Sequence, residues 1–298
     1  VHFLLLKIAS AVGLGLVLRH ADARKIPRLP LVRINYAVTA VLAFLAAVAA
    51  GQTSISRTTG LFAAVTGALF VAGLLVWIRA MAAAGLALSV TTMRTAIVVP
   101  VLASALFWRE RPAALELVGG GVALLALGLV LSEVMGRSGG RAEANETAGG
   151  ERGRSAGFWL VLLFLADGLV MTAAQVFRHE MPQAETLPFQ AVLFVSAFAV
   201  TSIIYFARRE RVDRRTLNLG ALLGAANLGN HLFLVLALSV LPGIAVYPAI
   251  AAGEVGLSAA AGVIFWREKV GVRSWVGIGL TVAALLLIQL GRSGAAAP

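Results

Sequence analysis

Ten stretches of the chain are nearly unbroken apolar runs, at 2–18, 31–50, 60–78, 85–108, 113–131, 157–177, 187–206, 217–238, 243–266 and 272–290. Polar and charged residues gather between these runs instead of alternating within them. A helix that crosses the hydrocarbon core needs about 20 mostly apolar residues. A membrane β-strand would show alternation over about ten. The pattern therefore predicts an all-α integral membrane protein with ten transmembrane helices. The first run is the shortest. It lacks the basic start and small-residue cleavage site of a signal peptide, and is read as a retained helix.

One long polar stretch interrupts the series, GRSGGRAEANETAGGERGRSAG at 136–157. It has almost nothing to bury and predicts a flexible linker, 136–156. On either side stand five runs, in 1–135 and 157–292, followed by a tail at 293–298. The two halves repeat one another. Phe107-Trp108-Arg109-Glu110 recurs as Phe265-Trp266-Arg267-Glu268, 158 residues later. Val118-Gly119-x-Gly121 recurs as Val276-Gly277-x-Gly279 at the same offset, and Arg19-His20 recurs as Arg178-His179 one residue further on. Anchors this consistent indicate an internal duplication. Five is odd, so the second half must cross the membrane in the opposite sense. The expected architecture is two inverted five-helix repeats, a hallmark of secondary transporters.

Composition agrees. Of 298 residues, 59% are hydrophobic and 13% charged, with a mean hydropathy of +0.90. A soluble domain is about 45–50% apolar and about 25% charged. The absence of cysteine excludes disulfides, thiolate metal sites and a Cys nucleophile. The net charge of +11 sits between apolar runs, which points to a lipid bilayer and not to nucleic acid. No Walker A, His-Glu-x-x-His or Asp-rich diphosphate motif is present, so an enzyme is not expected, and neither a cofactor nor a metal is implied.

With these features the chain resembles the drug/metabolite transporter superfamily, in its EamA-type ten-helix branch. The resemblance rests on the five-plus-five duplication and on a fourth helix in each half that ends in an acidic turn and meets a Gly-rich fifth helix. The residues are Pro100, Phe107-Trp108-Arg109-Glu110 and Gly119, and again Pro248, Phe265-Trp266-Arg267-Glu268 and Gly277. The segment Met93–Leu102 and the pair Asn35-Tyr36 also look like one EamA subgroup. The resemblance covers nearly the whole chain apart from linker and tail. It implies a plasma-membrane carrier, probable exporter in type, that moves small metabolites, amino acids or drugs without ATP or a bound cofactor. It also implies cytoplasmic termini.

Loop charges give another orientation. One side would hold Arg19, Arg24, Lys25, Arg28, Arg33, Arg79, Arg137, Arg141, Arg152, Arg154, Arg208, Arg209, Arg211, Arg214, Arg215, Arg267, Lys269 and Arg273. The other holds Arg57, Arg109, Arg111, Arg178 and Arg292. The count is 18 against 5, so the positive-inside rule puts the linker in the cytoplasm and both termini outside.

A charge inside a spanning helix costs at least about 2.5–3.5 kcal/mol on insertion scales, which makes Lys7, Arg94, Asp167 and Glu254 functional candidates. Arg94 and Glu254 form the sharpest pair. They lie about 20 Å and 17 Å from the Phe-Trp ends of equivalent helices. Because those ends face opposite sides, both residues fall near the midplane. They can line one central cavity and bind the two charged ends of a zwitterionic solute, or pair as a static clamp. Glu254 in a low-dielectric site resists ionisation and can exchange a proton near neutral pH, making protons a coupling ion. Asp167 is a second acid for the same cavity, or a packing group. Asn227, Asn230 and His231 share one helix face and can bind solute or hold helices together. Tyr247 joins them as a polar candidate. Lys7, near a helix end, is expected to snorkel. Trp77, Trp108, Trp159, Trp266 and Trp275 are expected at the membrane interfaces. Pro100 and Pro248 are expected to kink their helices. The glycines at 119–121, 277 and 279 suit either a homodimer interface or packing within the chain. The alternatives to a carrier are a membrane-embedded enzyme and a channel-like facilitator.

Overall fold

The computed structural model describes residues 2–84, 86–109, 112–142, 151–208, 212–266 and 272–295. Among them the regular elements are all helical. They are α1 (His2–Ala23), α2 (Arg28–Ala49), α3 (Arg57–Ala84), α4 (Leu86–Thr95), α5 (Val98–Leu106), α6 (Ala114–Ala142), α7 (Glu151–Glu180), α8 (Thr186–Arg208), α9 (Arg214–Leu238), α10 (Gly243–Trp266) and α11 (Val272–Ala295), with a short 3-10 turn at Gln183–Glu185. Six segments are long and apolar enough to cross a membrane: His2–Ala23, Arg28–Ala49, Arg57–Ala84, Ala156–Glu180, Gln183–Ala207 and Arg214–Leu238. Shorter apolar stretches, Thr92–Leu106, Ala114–Leu129, Gly243–Ser258 and Trp275–Ile288, fall in the other four predicted runs. Large apolar side chains stand exposed along the helices, Ile203 at 73% for example. Exposed apolar side chains in such number are uncommon on a water-soluble monomer and are compatible with a lipid environment.

Two expectations need correction. The fourth run, predicted as one helix over 85–108, is broken into α4 and α5. Pro100 explains the break, because it has no N–H to donate to the carbonyl four residues earlier and its ring crowds that carbonyl. That carbonyl belongs to Ala96, which instead accepts a tighter bond from Val99 N at 3.0 Å. The chain turns at Ala96–Ile97, a full turn before the proline. By contrast, α10 is helical throughout despite Pro248. The second correction concerns the linker. Its flanks are helical, since residues 136–142 end α6 and 151–156 begin α7. Its central residues, 143–150, and the turn acids Glu110 and Glu268 lie outside the described residues.

The helices form two compact units, each drawing on both halves of the sequence. α3 and α7 contribute residues to both. The first unit comprises His2–Ala72 and Val176–Ala237. Its main seam is α2 packed lengthwise on α8. Glycines allow the close approaches around it. A methyl at Gly224 of α9 would stand 2.8 Å from Asn35 O on α2, and Thr39 Oγ1 bridges the same helices by donating to Gly224 O at 2.9 Å. Arg33 of α2 lies among Phe198, Tyr205 and Phe206 of α8, 4.5 Å from the Tyr205 ring centroid, and donates to Ser202 Oγ at 3.0 Å. The rings attract the cation and cover its stem.

The second unit comprises Gly73–Gln175 and Leu238–Pro298. Here α6 packs along α11 and α10, and α5 meets α10. A methyl at Gly119 would lie 2.9 Å from Ala284 O and 2.7 Å from Ile288. That glycine is therefore used within the chain, while Gly121 and Gly279 have open space around them. Arg79 sits 5.7 Å from the Trp159 ring centroid. In each unit the dominant seam joins runs of equal rank in the two halves: α2 with α8, the second runs, and α6 with α11, the fifth.

Candidate functional site

Four of the seven sequence-predicted site residues belong to the second unit: Arg94, Asp167, Tyr247 and Glu254. Arg94 closes the last turn of α4, where the negative end of the helix dipole favours a cation. Its Nη1 donates to Glu254 Oε2 on α10, forming an ion pair. The Glu254 side chain is 7% exposed and that of Arg94 28%. The carboxylate is thus the more deeply desolvated partner. The pair joins the fourth run of one half to the fourth run of the other.

The break in the fourth run adjoins this pair. Gly168 of α7 faces the first turn of α5, where an added methyl would stand 2.7 Å from Val99 Cβ. Asp167, one residue before it, is half-buried beside the break. Tyr247 OH donates to Met171 O at 2.9 Å. One turn earlier on α10, Gly243 lies against Gln175 and Ser104, and Gln175 Nε2 donates to Ser104 Oγ. Advancing a turn on α10 thus retreats a turn on α7, so the two helices are antiparallel. The same register brings Ala251 level with Asp167, one turn short of Glu254. The Arg94–Glu254 pair therefore stands beside an interrupted helix, with Asp167 on the neighbouring α7. Interrupted helices leave backbone groups available beside a site.

Asn227, Asn230 and His231 belong to the first unit, not to the unit that holds the ion pair. The predicted shared helix face is present on α9. His231 packs against Phe70, with ring centroids 4.6 Å apart, and against Phe194 at 5.4 Å. Asn227 is buried. Asn230 Oδ1 is buried without a hydrogen-bond partner among the described residues. Sequence reasoning misplaced Lys7. It does not snorkel but is buried in α1, 7% exposed, and lies close enough for its charge to act on His231. Among the described residues no cluster of His, Asp and Glu could hold a metal ion.

No family model and no curated protein matches this chain. Solved structures do share its fold. One, described only as "Crystal structure of protein", superposes with a TM-score of 0.71 at 13% identity, covering 97% of this chain and 96% of its own. A match across both chains at such low identity shows a common fold.

Proposed function

We propose that the chain is a secondary active transporter of the drug/metabolite type, an exporter of small organic metabolites or drugs across the plasma membrane. It would work by alternating access of two inverted five-helix repeats. The observation that carries this reading is the Arg94–Glu254 ion pair, set among apolar helices beside the broken fourth run. A bilayer tolerates such charges where they serve a pathway, and packed apolar residues would hold α4 to α10 at least as well. The pairing of equal-rank helices supports the repeat. In a molecule with internal two-fold symmetry, the helices nearest the axis meet their own counterparts. Arg94 suits a carboxylate on the solute and Glu254 an amine, with Glu254 as the group that exchanges a proton.

The test compares solutes inside cells and in the medium for wild type and Arg94→Ala/Glu254→Ala. Redistribution of one solute class by the wild type alone is expected. Equal redistribution by both proteins reduces the pair to a clamp. If purified wild type in liposomes moves none of the candidate solutes, the transport reading falls. Transport by Glu254→Gln that stays intact and pH-dependent would remove the proton role.

A further inference from the structure

One end of the first unit gathers positive charge. α2 and α9 start there side by side, since a methyl at Gly220 would meet Ile34 and Leu31 O. α1 ends there, with Leu18 and Ala21 packed among Leu219 and Leu223, while Ser10, earlier on α1, lies against Gly229. α8 ends there too, because Tyr36 meets Phe194 whereas Arg33, earlier on α2, meets Ser202, further along α8. Arg24, Lys25, Arg214 and Arg215 are exposed at this end. Its described acids are engaged locally, Asp22 with Arg28 and Asp213 with Thr216. Arg33 stands half-buried within the α2–α8 pair itself. Its Nε donates to Ser202 Oγ at 3.0 Å, and three rings of α8 hold the guanidinium. That bond uses the single N–H of Nε and leaves those of Nη1 and Nη2. The Nη groups make no hydrogen bond or ion pair among the described residues.

We propose that Arg33, held on this aromatic shelf, binds the phosphodiester of an anionic glycerophospholipid. Its place on the helices points to lipid. Arg33 shares a face of α2 with the exposed Phe44 and Val48, about three and four turns on. Ser202 shares a face of α8 with the exposed Val195 and Phe206, about two turns before it and one after. Both helices are long and apolar enough to cross a membrane, and exposed apolar stripes on such helices are the surface that lipid covers. The depth agrees. Arg33 stands about 7.5 Å in from the start of α2, and Ser202 about 9 Å in from the end of α8, at 1.5 Å per residue. Side chains of a helix lean toward its N-terminus, so the guanidinium extends outward, to the level of the headgroups. Two open Nη groups match two phosphate oxygens in a bidentate fork, a geometry that a lysine ammonium does not offer. The rings fix that fork, and Phe206 offers an acyl chain an apolar surface beside it. The exposed cations of the same end favour an anionic headgroup over a zwitterionic one. The site lies within one unit and uses none of the Arg94–Glu254 machinery. It requires only that α2 and α8 cross a bilayer.

The purified full chain is titrated with phosphatidylglycerol and, separately, with phosphatidylcholine of the same acyl chains, and bound lipids are counted by native mass spectrometry. The first phosphatidylglycerol is expected to bind at least about fivefold more tightly than phosphatidylcholine. The preference should fall below about twofold in Arg33→Met. Arg33→Lys, which keeps the charge and loses the fork, should lie between the two. Equal binding of both lipids by the wild type, or a preference kept above about twofold in Arg33→Met, would overturn the site. A second measurement on the wild type does not depend on how the variants fold. Phosphatidylglycerol carrying a diazirine at the top of one acyl chain is photolysed with the protein in lipid nanodiscs, and the adducts are located by peptide mass spectrometry. They should concentrate in 33–44 and 195–206; adducts spread evenly over the exposed helix faces would contradict the assignment. Soluble glycerol phosphate in excess should leave the lipid in place. Displacement by it would give the fork to a phosphate from water and overturn the lipid site. None of these results bears on whether the protein transports, so the two readings can fail separately.

Discussion

Removing Arg94 and Glu254 singly and together separates a working ion pair from a clamp. Taking away one partner of a buried pair leaves the other desolvated and costs about 3–5 kcal/mol. The two exposures set the order. Arg94→Met strands Glu254, whose side chain is 7% exposed; Glu254→Gln strands Arg94, which at 28% retains a route to solvent. Arg94→Met should therefore fall near the top of that range, and Glu254→Gln near the bottom. At about 2–4 °C per kcal/mol, the first variant unfolds at least roughly 10 °C early and the second roughly 6 °C early. Arg94→Met/Glu254→Gln removes both charges and should return close to wild type, because neutral replacement of a buried pair is often harmless. Thermal unfolding in lipid nanodiscs reads the stability cycle. Counterflow in liposomes, with the solute found by the cellular comparison, reads function. The reasoning requires a double variant that is stable and inactive. Additive losses of stability would show that the charges do not interact. A double variant with both stability and flux restored would make the pair a clamp.

Pro100→Ala gives Ala96 back a hydrogen-bond donor. It should join α4 to α5, slow amide exchange at 96–100 and reduce flux if the break serves the transport cycle; unchanged exchange would show that the proline does not cause the break. Gly119→Ala forces a methyl to within 2.9 Å of Ala284 O and should cost about 1–3 kcal/mol. Gly121→Ala, with nothing within 4 Å, should be neutral or stabilise by up to about 1 kcal/mol, so equal melting temperatures for the two would contradict the α6–α11 packing. Asp213 caps α9, accepting hydrogen bonds from Thr216 Oγ1 and from Thr216 N at 2.8 Å. These bonds hold its carboxyl below the usual carboxylate range. A group with a lowered folded pKa contributes stability that is complete above its ordinary value, about 3.9, and is lost as pH falls through the folded value. Asp213→Asn should keep the cap and lessen the acid sensitivity of melting, whereas an unchanged acid limb would exclude Asp213 from it.

What could be read from the sequence follows from which forces act along one helix and which act between helices. The apolar runs were legible because continuous apolar length is a property of one segment alone; six of the described helices are long and apolar enough to cross a membrane, and the other four runs hold shorter apolar stretches. The encounter of Arg94 with Glu254 was legible for a rarer reason. The duplicated Phe-Trp-Arg-Glu motifs supply two reference points in the sequence, and Arg94 and Glu254 stand 13 and 11 residues before them in runs of equal rank. Pro100 was identified as a disturbance, yet the backbone turns at Ala96–Ile97, because proline acts on the carbonyl four residues before it and not on its own position. Lys7 was misread because helix depth was judged from the first run alone; its true level depends on the register of α1 against α9, which Ser10–Gly229 and the Leu18–Leu219 contacts set. Asn227, Asn230 and His231 show the same limit. Their spacing puts them on one face, but periodicity carries no information about which helix that face meets. That α9 turns the stripe bearing Asn230 toward α1, and His231 toward Phe70 and Phe194, is a property of packing.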